Sequence, residues 1–136
     1  MKKVVLDTNV YIDWINRGLG EQWLLGTGLV RYLSAVVVME LRAGARTRKG
    51  RSAIDQLIRA HASGGRLVSP QVAVFEKAGS LLRRLKLAGR EVRSAAFVND
   101  VLIALSARSI GAAVVTSNVR DFEAIRRVEP FALEEA

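Results

Sequence analysis

Short runs of β-branched and aliphatic residues alternate along the chain with longer segments whose apolar positions recur every three to four residues. The runs mark buried strands and the periodic segments mark amphipathic helices, so their alternation predicts an α/β fold with a parallel sheet. Lys2 to Leu6 reads as a buried strand ending at Asp7-Thr8-Asn9, a cluster suited to capping a helix over Val10 to Asn16. Gly18 and Gly20 stop that helix, and Glu21 to Leu25 is a short helical piece ended by Gly26 and Gly28. Leu29 to Leu33 is a second strand. Ser34 then caps a helix over Val36 to Ala43, stopped by Gly44. Val36-Val37-Val38 alone favour strand, but the good helix formers from Met39 to Ala43 decide for helix. Ser52 to His61 carries Ile54, Leu57 and Ile58 at helical spacing, and Leu67-Val68 is a minimal strand. Ser69-Pro70 predicts the start of a helix running to Ala88. A further helix spans Ala95 to Ser109, a strand Ala112 to Val115, and a short helix Asp121 to Ile125. Val128 to Leu133 reads as a final edge strand, weakened by Pro130. With no repeat and no linker, residues 1–136 read as one domain, a short and mainly parallel sheet with helices on both sides. Asp7 and Thr116-Ser117-Asn118 both follow predicted strands, and ligands of open parallel sheets bind at such carboxyl ends.

Composition narrows the chemistry. The 136 residues are 50% hydrophobic with only 2 Pro and 11 Gly, which suits a chain that buries a core. The absence of Cys excludes disulfide scaffolds, thiol catalysis and Cys-based zinc sites. His61 is the only histidine, so a His-rich zinc site is excluded too, and a Ser-His-Asp hydrolase would depend on a residue in a polar stretch beside Gly64-Gly65. No uncharged stretch approaches the roughly 18 apolar residues of a membrane span. Val4-Val5-Leu6 after Met1-Lys2-Lys3 is too short for the core of an export signal. The expectation is a soluble, cytoplasmic protein with no membrane partner.

Charge adds a partner class. The net charge is +8, distributed unevenly: residues 1–40 are balanced, residues 41–99 carry +10 and residues 100–136 carry −2. A basic middle segment fits a polyanionic partner, against the alternative of a surface charged for solubility.

Three acids lie in apolar surroundings. Asp7 follows Val4-Val5-Leu6, Glu40 follows Val36-Val37-Val38-Met39, and Asp100 sits between Ala95-Ala96-Phe97-Val98-Asn99 and Val101-Leu102-Ile103-Ala104-Leu105. A carboxylate beside a core is costly unless it is paired or coordinating. If the three converge, a hard cation that favours oxygen ligands, Mg²⁺ or Mn²⁺, is the natural neutraliser in a chain without Cys. Such a cation suits phosphoryl chemistry, and with the basic segment it points to a metal-dependent nuclease. Each acid also has a plainer reading: Asp7 as a helix cap, Glu40 bridged to Arg42 or Arg46, and Asp100 on the wet side of its helix. Asp13 reads as a helix-surface acid, and Asp55, Glu76 and Glu91 as solvated partners of Arg and Lys. Glu134-Glu135 reads as a solvated tail, and Trp14, Trp23 and Tyr32 as packing residues rather than base-stacking ones.

Four segments in order resemble the motifs of PIN-domain ribonucleases: Val4-Val5-Leu6-Asp7-Thr8-Asn9-Val10, Glu40-Leu41-Arg42-Ala43-Gly44, Asn99-Asp100-Val101-Leu102-Ile103-Ala104, and Val114-Val115-Thr116-Ser117-Asn118-Val119-Arg120-Asp121-Phe122. Within that family the chain looks most like the VapC-type toxins of bacterial toxin–antitoxin pairs. The resemblance implies a PIN-like fold and a Mg²⁺- or Mn²⁺-dependent endoribonuclease in which Asp7, Glu40 and Asp100 ligate the cation and position the attacking water. It makes Thr116 a polar group beside Asp7, with Thr8 and Asn9 shaping the turn. Many members carry an acid where this chain has Asn118; Asp121 can contribute instead, through water, or Asn118 can offer a neutral carbonyl oxygen. That departure bears on a second cation more than on the first. The resemblance also implies RNA as substrate; the basic stretch Arg42, Arg46, Arg48, Lys49 and Arg51 directly follows Glu40 and is placed to hold its phosphates, as is Arg120, while Arg83, Arg84 and Lys86 either extend that stretch or face solvent, with solvent slightly favoured. It further implies a VapB-like antitoxin partner and a homodimer.

Three alternatives belong to other classes. A dehalogenase-like phosphatase also opens on a strand-end Asp, but needs a second Asp where Asn9 stands. A non-catalytic nucleic-acid-binding module shares the charge evidence and leaves the three acids unexplained. A PIN nuclease of RNA processing outside toxin–antitoxin systems shares every motif.

Overall fold

The computed structural model describes all residues, 1–136. In chain order the elements are β1 (Lys2–Leu6), α1 (Thr8–Arg17), α2 (Glu21–Leu24), β2 (Leu29–Ser34), α3 (Ala35–Gly44), α4 (Arg48–Ser63), β3 (Leu67–Val68), α5 (Val72–Leu87), α6 (Ala95–Ser109), β4 (Ala113–Thr116), α7 (Val119–Arg126) and β5 (Leu133–Glu135). The five strands form one sheet in the order β3-β2-β1-β4-β5, and every pairing is parallel. Seven helices flank it, as the alternation of patterns predicts. Val4, Val5 and Leu6 of β1 are fully buried, which is why this central strand reads as an unbroken apolar run rather than an alternating one.

The topology sets the position of the site. From β1 the chain steps outward to β2 and β3, then returns through α5 and α6 to β4 on the other flank of β1. The order therefore reverses between β1 and β4, and ligands of open parallel sheets bind at the carboxyl ends of strands at such a switch point. A single cluster of 26 buried apolar residues holds both sheet faces together, so the chain is one domain with one core. Fully burying a large member such as Leu33 or Phe122 stabilises the fold by about 1.5–3 kcal/mol. No helix is long and apolar enough to cross a membrane.

Several boundaries differ from the sequence reading, each for a local reason. Ser34 caps α3 as expected, its Oγ accepting from the Val36 N–H at 3.1 Å. α4 begins at Arg48, ahead of the expected Ser52, because Thr47 Oγ1 accepts from the Gly50 N–H at 3.0 Å and caps a turn that tolerates Gly50. Arg48, Lys49 and Arg51 thus lie on the first turn of a helix. Ser69-Pro70 does not start α5: Gln71 is the N-cap, without a side-chain bond, and the helix opens at Val72. The final strand is not Val128 to Leu133 but Leu133–Glu135, beyond Pro130. The Glu134-Glu135 segment is therefore no solvated tail, since its backbone pairs with Val115 and Thr116 and Glu134 forms an ion pair with Lys2.

Candidate active site

The site is built on the carboxyl ends of the paired strands β1 and β4. Leu6 pairs with Val115, and the Asp7 N–H donates to the Val115 carbonyl at 2.8 Å, which places Asp7 next to Thr116. Asp7 is also the N-cap of α1, its Oδ1 accepting from the Thr8 N–H at 2.8 Å. The plainer reading of Asp7 as a helix cap therefore holds, and the same residue stands at the carboxyl end of β1. Its other oxygen, Oδ2, accepts from the Thr116 hydroxyl at 2.8 Å and from Asn9 Nδ2 at 3.1 Å. Only 4% of Asp7 is exposed, and burial raises its pKa more than these donors lower it.

Glu40 arrives on α3, which follows β2 without a turn. Val36, Val37 and Leu41 bury the inner face of that helix and leave Glu40 at its margin, half-buried. The Thr8 hydroxyl donates to Glu40 Oε1 at 2.5 Å and Asn99 Nδ2 donates to Oε2 at 3.3 Å. Asp100 arrives on α6, on the inward stripe shared with Phe97, Val101 and Ala104, and is 7% exposed. Its apolar neighbours in sequence mark this burial, and the wet-side reading does not hold. Burial is the main cause, and the charges of Asp7, Asp121 and Glu40 add to it: together they push the Asp100 carboxyl up to about 8.

The structure therefore brings Asp7, Glu40 and Asp100 from three distant segments into electrostatic reach of one another. They do not form a ready-made cage of three converged ligands. The donor set nonetheless fits a hard divalent cation: every donor is an oxygen, the three charges repel, and no Lys or Arg forms an ion pair with any of them. Asn118 donates through its N–H to Thr116 Oγ1 at 2.9 Å and through Nδ2 to Asp121 Oδ2 at 3.0 Å. Asp121 lies at the edge of the group, and its Oδ1 accepts from Arg90 at 2.7 Å.

Among the basic residues, Arg42 is tied to Asp55 at 2.6 Å, so the phosphate role expected of it meets a competing carboxylate. Arg46, Arg48, Lys49 and Arg120 are exposed and enter no ion pair. A hollow of about 440 Å³ opens beside Glu40, between α1, α3 and the start of α4. Ile12, Ile15, Leu41 and Ile54 line its apolar side, and Arg46 and Thr47 its polar side. Asp13 pairs with Arg17 on the surface of α1, as its sequence position implies. His61 is buried with Nδ1 against the Leu57 carbonyl at 2.8 Å, within α4 and apart from the acids.

Two residues at the site were given no role by sequence reasoning. Asn99 had a signal, since it precedes Asp100 within the same motif. Arg90 had none: it is one arginine in a basic segment, and its partner lies far along the chain.

Comparison with known proteins agrees with the fold. The family model described as PIN domain matches residues 4–128. No curated protein sequence matches the chain. Among solved structures, the chain is similar to DNA-bound VapBC from Salmonella typhimurium, at 27% identity over 99% of this chain and 98% of that one, with a TM-score of 0.71. It shares its fold with VapBC2 from Rickettsia felis bound to a promoter DNA fragment, at 23% identity over 98% of each chain and a TM-score of 0.72. It also shares it with VapBC-5 from Mycobacterium tuberculosis, described as a member of the VapBC family of toxin–antitoxin systems, at 24% identity over 99% and 98% of the chains and a TM-score of 0.63.

Proposed function

The chain belongs to the PIN-domain family, and from that premise we propose that it is a divalent-cation-dependent endoribonuclease, the VapC-type toxin of a toxin–antitoxin pair. The observation that carries the reading is that Asp7, Glu40 and Asp100 lie within electrostatic reach of one another beside the switch point of a parallel sheet, with no cationic side chain paired to any of them. These three residues would hold Mg²⁺ or Mn²⁺. When bound, the cation supplies Lewis acidity, offsetting charge on the phosphate oxygens and making water a better nucleophile.

The chain's own groups do the positioning. Thr116, Asn9 and the Thr8 N–H fix both oxygens of Asp7, and the Thr8 hydroxyl and Asn99 fix both oxygens of Glu40. Neutral donors orient these carboxylates without cancelling their charge. Asp100 has no such donor, and its buried carboxylate gains most from a cation. Arg46, Arg48, Lys49 and Arg120 would hold the RNA through its phosphates, which needs no base contact.

A VapB-like antitoxin belongs to this reading, supported by the likeness to VapBC structures. The hollow beside Glu40 offers an apolar wall for an antitoxin segment to reach the acids. Homodimerisation belongs to it as well, supported by the exposed Val72 and Phe75 on α5, 76% and 55% accessible.

The test is incubation of the purified protein with total RNA and Mg²⁺ or Mn²⁺, with and without chelator, beside Asp7→Asn. Cleavage that disappears with chelator and in Asp7→Asn is expected. Cleavage that survives Asp7→Asn would remove the site assignment, and binding of RNA without cleavage by the native protein would favour a binding module.

A further inference from the structure

Arg90 lies between α5 and α6, outside all four motifs, yet three parts of the fold meet on it. Its guanidinium donates to Asp121 Oδ1 on α7 at 2.7 Å. The same group stands over the Phe97 ring of α6, 4.6 Å from its centroid. Its backbone N–H is tied to the Leu85 carbonyl of α5 at 3.0 Å. A flat guanidinium held by a ring face and a carboxylate has little freedom to swing elsewhere.

This grip separates Asp121 from the other acids. Asp7 and Glu40 accept only from neutral donors, and Asp100 from none. Asp121 accepts from a neutral amide on one oxygen and from a full positive charge on the other. An amide or hydroxyl leaves a carboxylate's charge available to a cation, whereas a guanidinium at this distance offsets it and repels a second positive ion.

Building on the nuclease reading, we propose that Arg90 is a positioning residue that withdraws Asp121 from the cation's ligands, so that the site takes one divalent cation through Asp7, Glu40 and Asp100. Asn118 completes the arrangement, turning its amide nitrogen to the second oxygen of Asp121. The last motif then acts through Thr116 on Asp7, and Asp121 serves as the anchor for Arg90. Without Arg90, a fourth carboxylate free of any positive partner would stand at the edge of the acidic group, and a second cation would become favourable.

The test is Mn²⁺ binding to the full chain, followed by the loss of the free-ion paramagnetic resonance signal, which reads stoichiometry and affinity without turnover. The native chain should bind one Mn²⁺. Asp121→Asn should keep one ion within about threefold of native affinity, while Asp100→Asn should weaken binding by about tenfold or more. Arg90→Gln should gain a second ion or bind the first about tenfold more tightly, and Arg90→Lys, which keeps the charge, should return towards native binding. Asp121→Asn weakening binding as much as Asp100→Asn does would overturn the proposal, as would Arg90→Gln binding like the native chain, and either result leaves the nuclease reading standing. A native chain that binds no Mn²⁺ overturns both together.

Discussion

Thr116 shows how much of the site rests on one hydroxyl. It is fully buried, donates to Asp7 Oδ2 at 2.8 Å, and accepts from Asn9 Nδ2 at 3.3 Å and from the Asn118 N–H at 2.9 Å. Thr116→Val keeps the shape of the side chain but leaves the Asn118 N–H without its acceptor, while Asp7 Oδ2 and Asn9 Nδ2 keep only their bond to each other. Leaving buried polar groups without a partner costs about 1–3 kcal/mol, so urea unfolding should show a loss of that size. A carboxylate that loses its orienting donor typically costs about 10–100-fold in metal affinity, which Mn²⁺ titration would read. Thr116→Ser should recover most of the affinity, because it restores the hydroxyl; Thr116→Val binding Mn²⁺ as the native chain does would show that Asp7 is held by its other donors alone. At this scale the sequence was legible where chemistry and context disagree. An acid inside Val4-Val5-Leu6-Asp7 or Phe97-Val98-Asn99-Asp100-Val101 is out of place unless it has a task. Arg90 was illegible because an arginine among arginines is in place, and only the fold sets it against Asp121 and Phe97.

The helices that carry the acids depend on caps. Ser94 Oγ accepts from the Phe97 N–H at 3.1 Å and starts α6, and Asp100 lies in the second turn after that cap. Ser94→Ala removes one cap and should lower stability by about 1 kcal/mol, a shift of a few degrees in the melting temperature. Frayed first-turn residues need not disturb the second turn, which is held by the buried Val101 and Ala104, so Mn²⁺ affinity should stay within about threefold of native. A large loss of affinity in Ser94→Ala would mean that the first turn of α6 itself positions Asp100. Caps and core runs made most elements readable: Ser34 marks α3, and the β-branched run marks β1. Ser69-Pro70 misled because the same pair also suits an extended connection, and here it leads out of β3 before α5 begins at Val72. β5 was misplaced because Leu133–Glu135 carries no strand signal of its own. It is a strand because β4 offers it a free edge.

Across the whole molecule, charge and topology point the same way. Residues 41–99 carry a net +10, and the start of this segment runs from the end of α3 into the first turn of α4, beside Glu40 and its hollow. Part of this charge is spent within the fold, as Arg42 is by Asp55. Arg46, Arg48 and Lys49 are exposed and enter no ion pair, so their field reaches outward at the mouth of the site. Contacts to single-stranded nucleic acid release about 0.7 counterion each, which sets the slope of log affinity against log salt. If all three side chains touch phosphate, the combined change of Arg46, Arg48 and Lys49 to Ala should flatten that slope by about 2 units. Binding should weaken for every RNA sequence alike, because phosphate contacts carry no sequence information. Exposed side chains contribute little to folding, so stability should stay within about 0.5 kcal/mol of native. The measurement is RNA binding at a series of salt concentrations with chelator present, so that cleavage does not intervene. An unchanged slope would move the RNA path away from α4 and towards Arg120, exposed on α7.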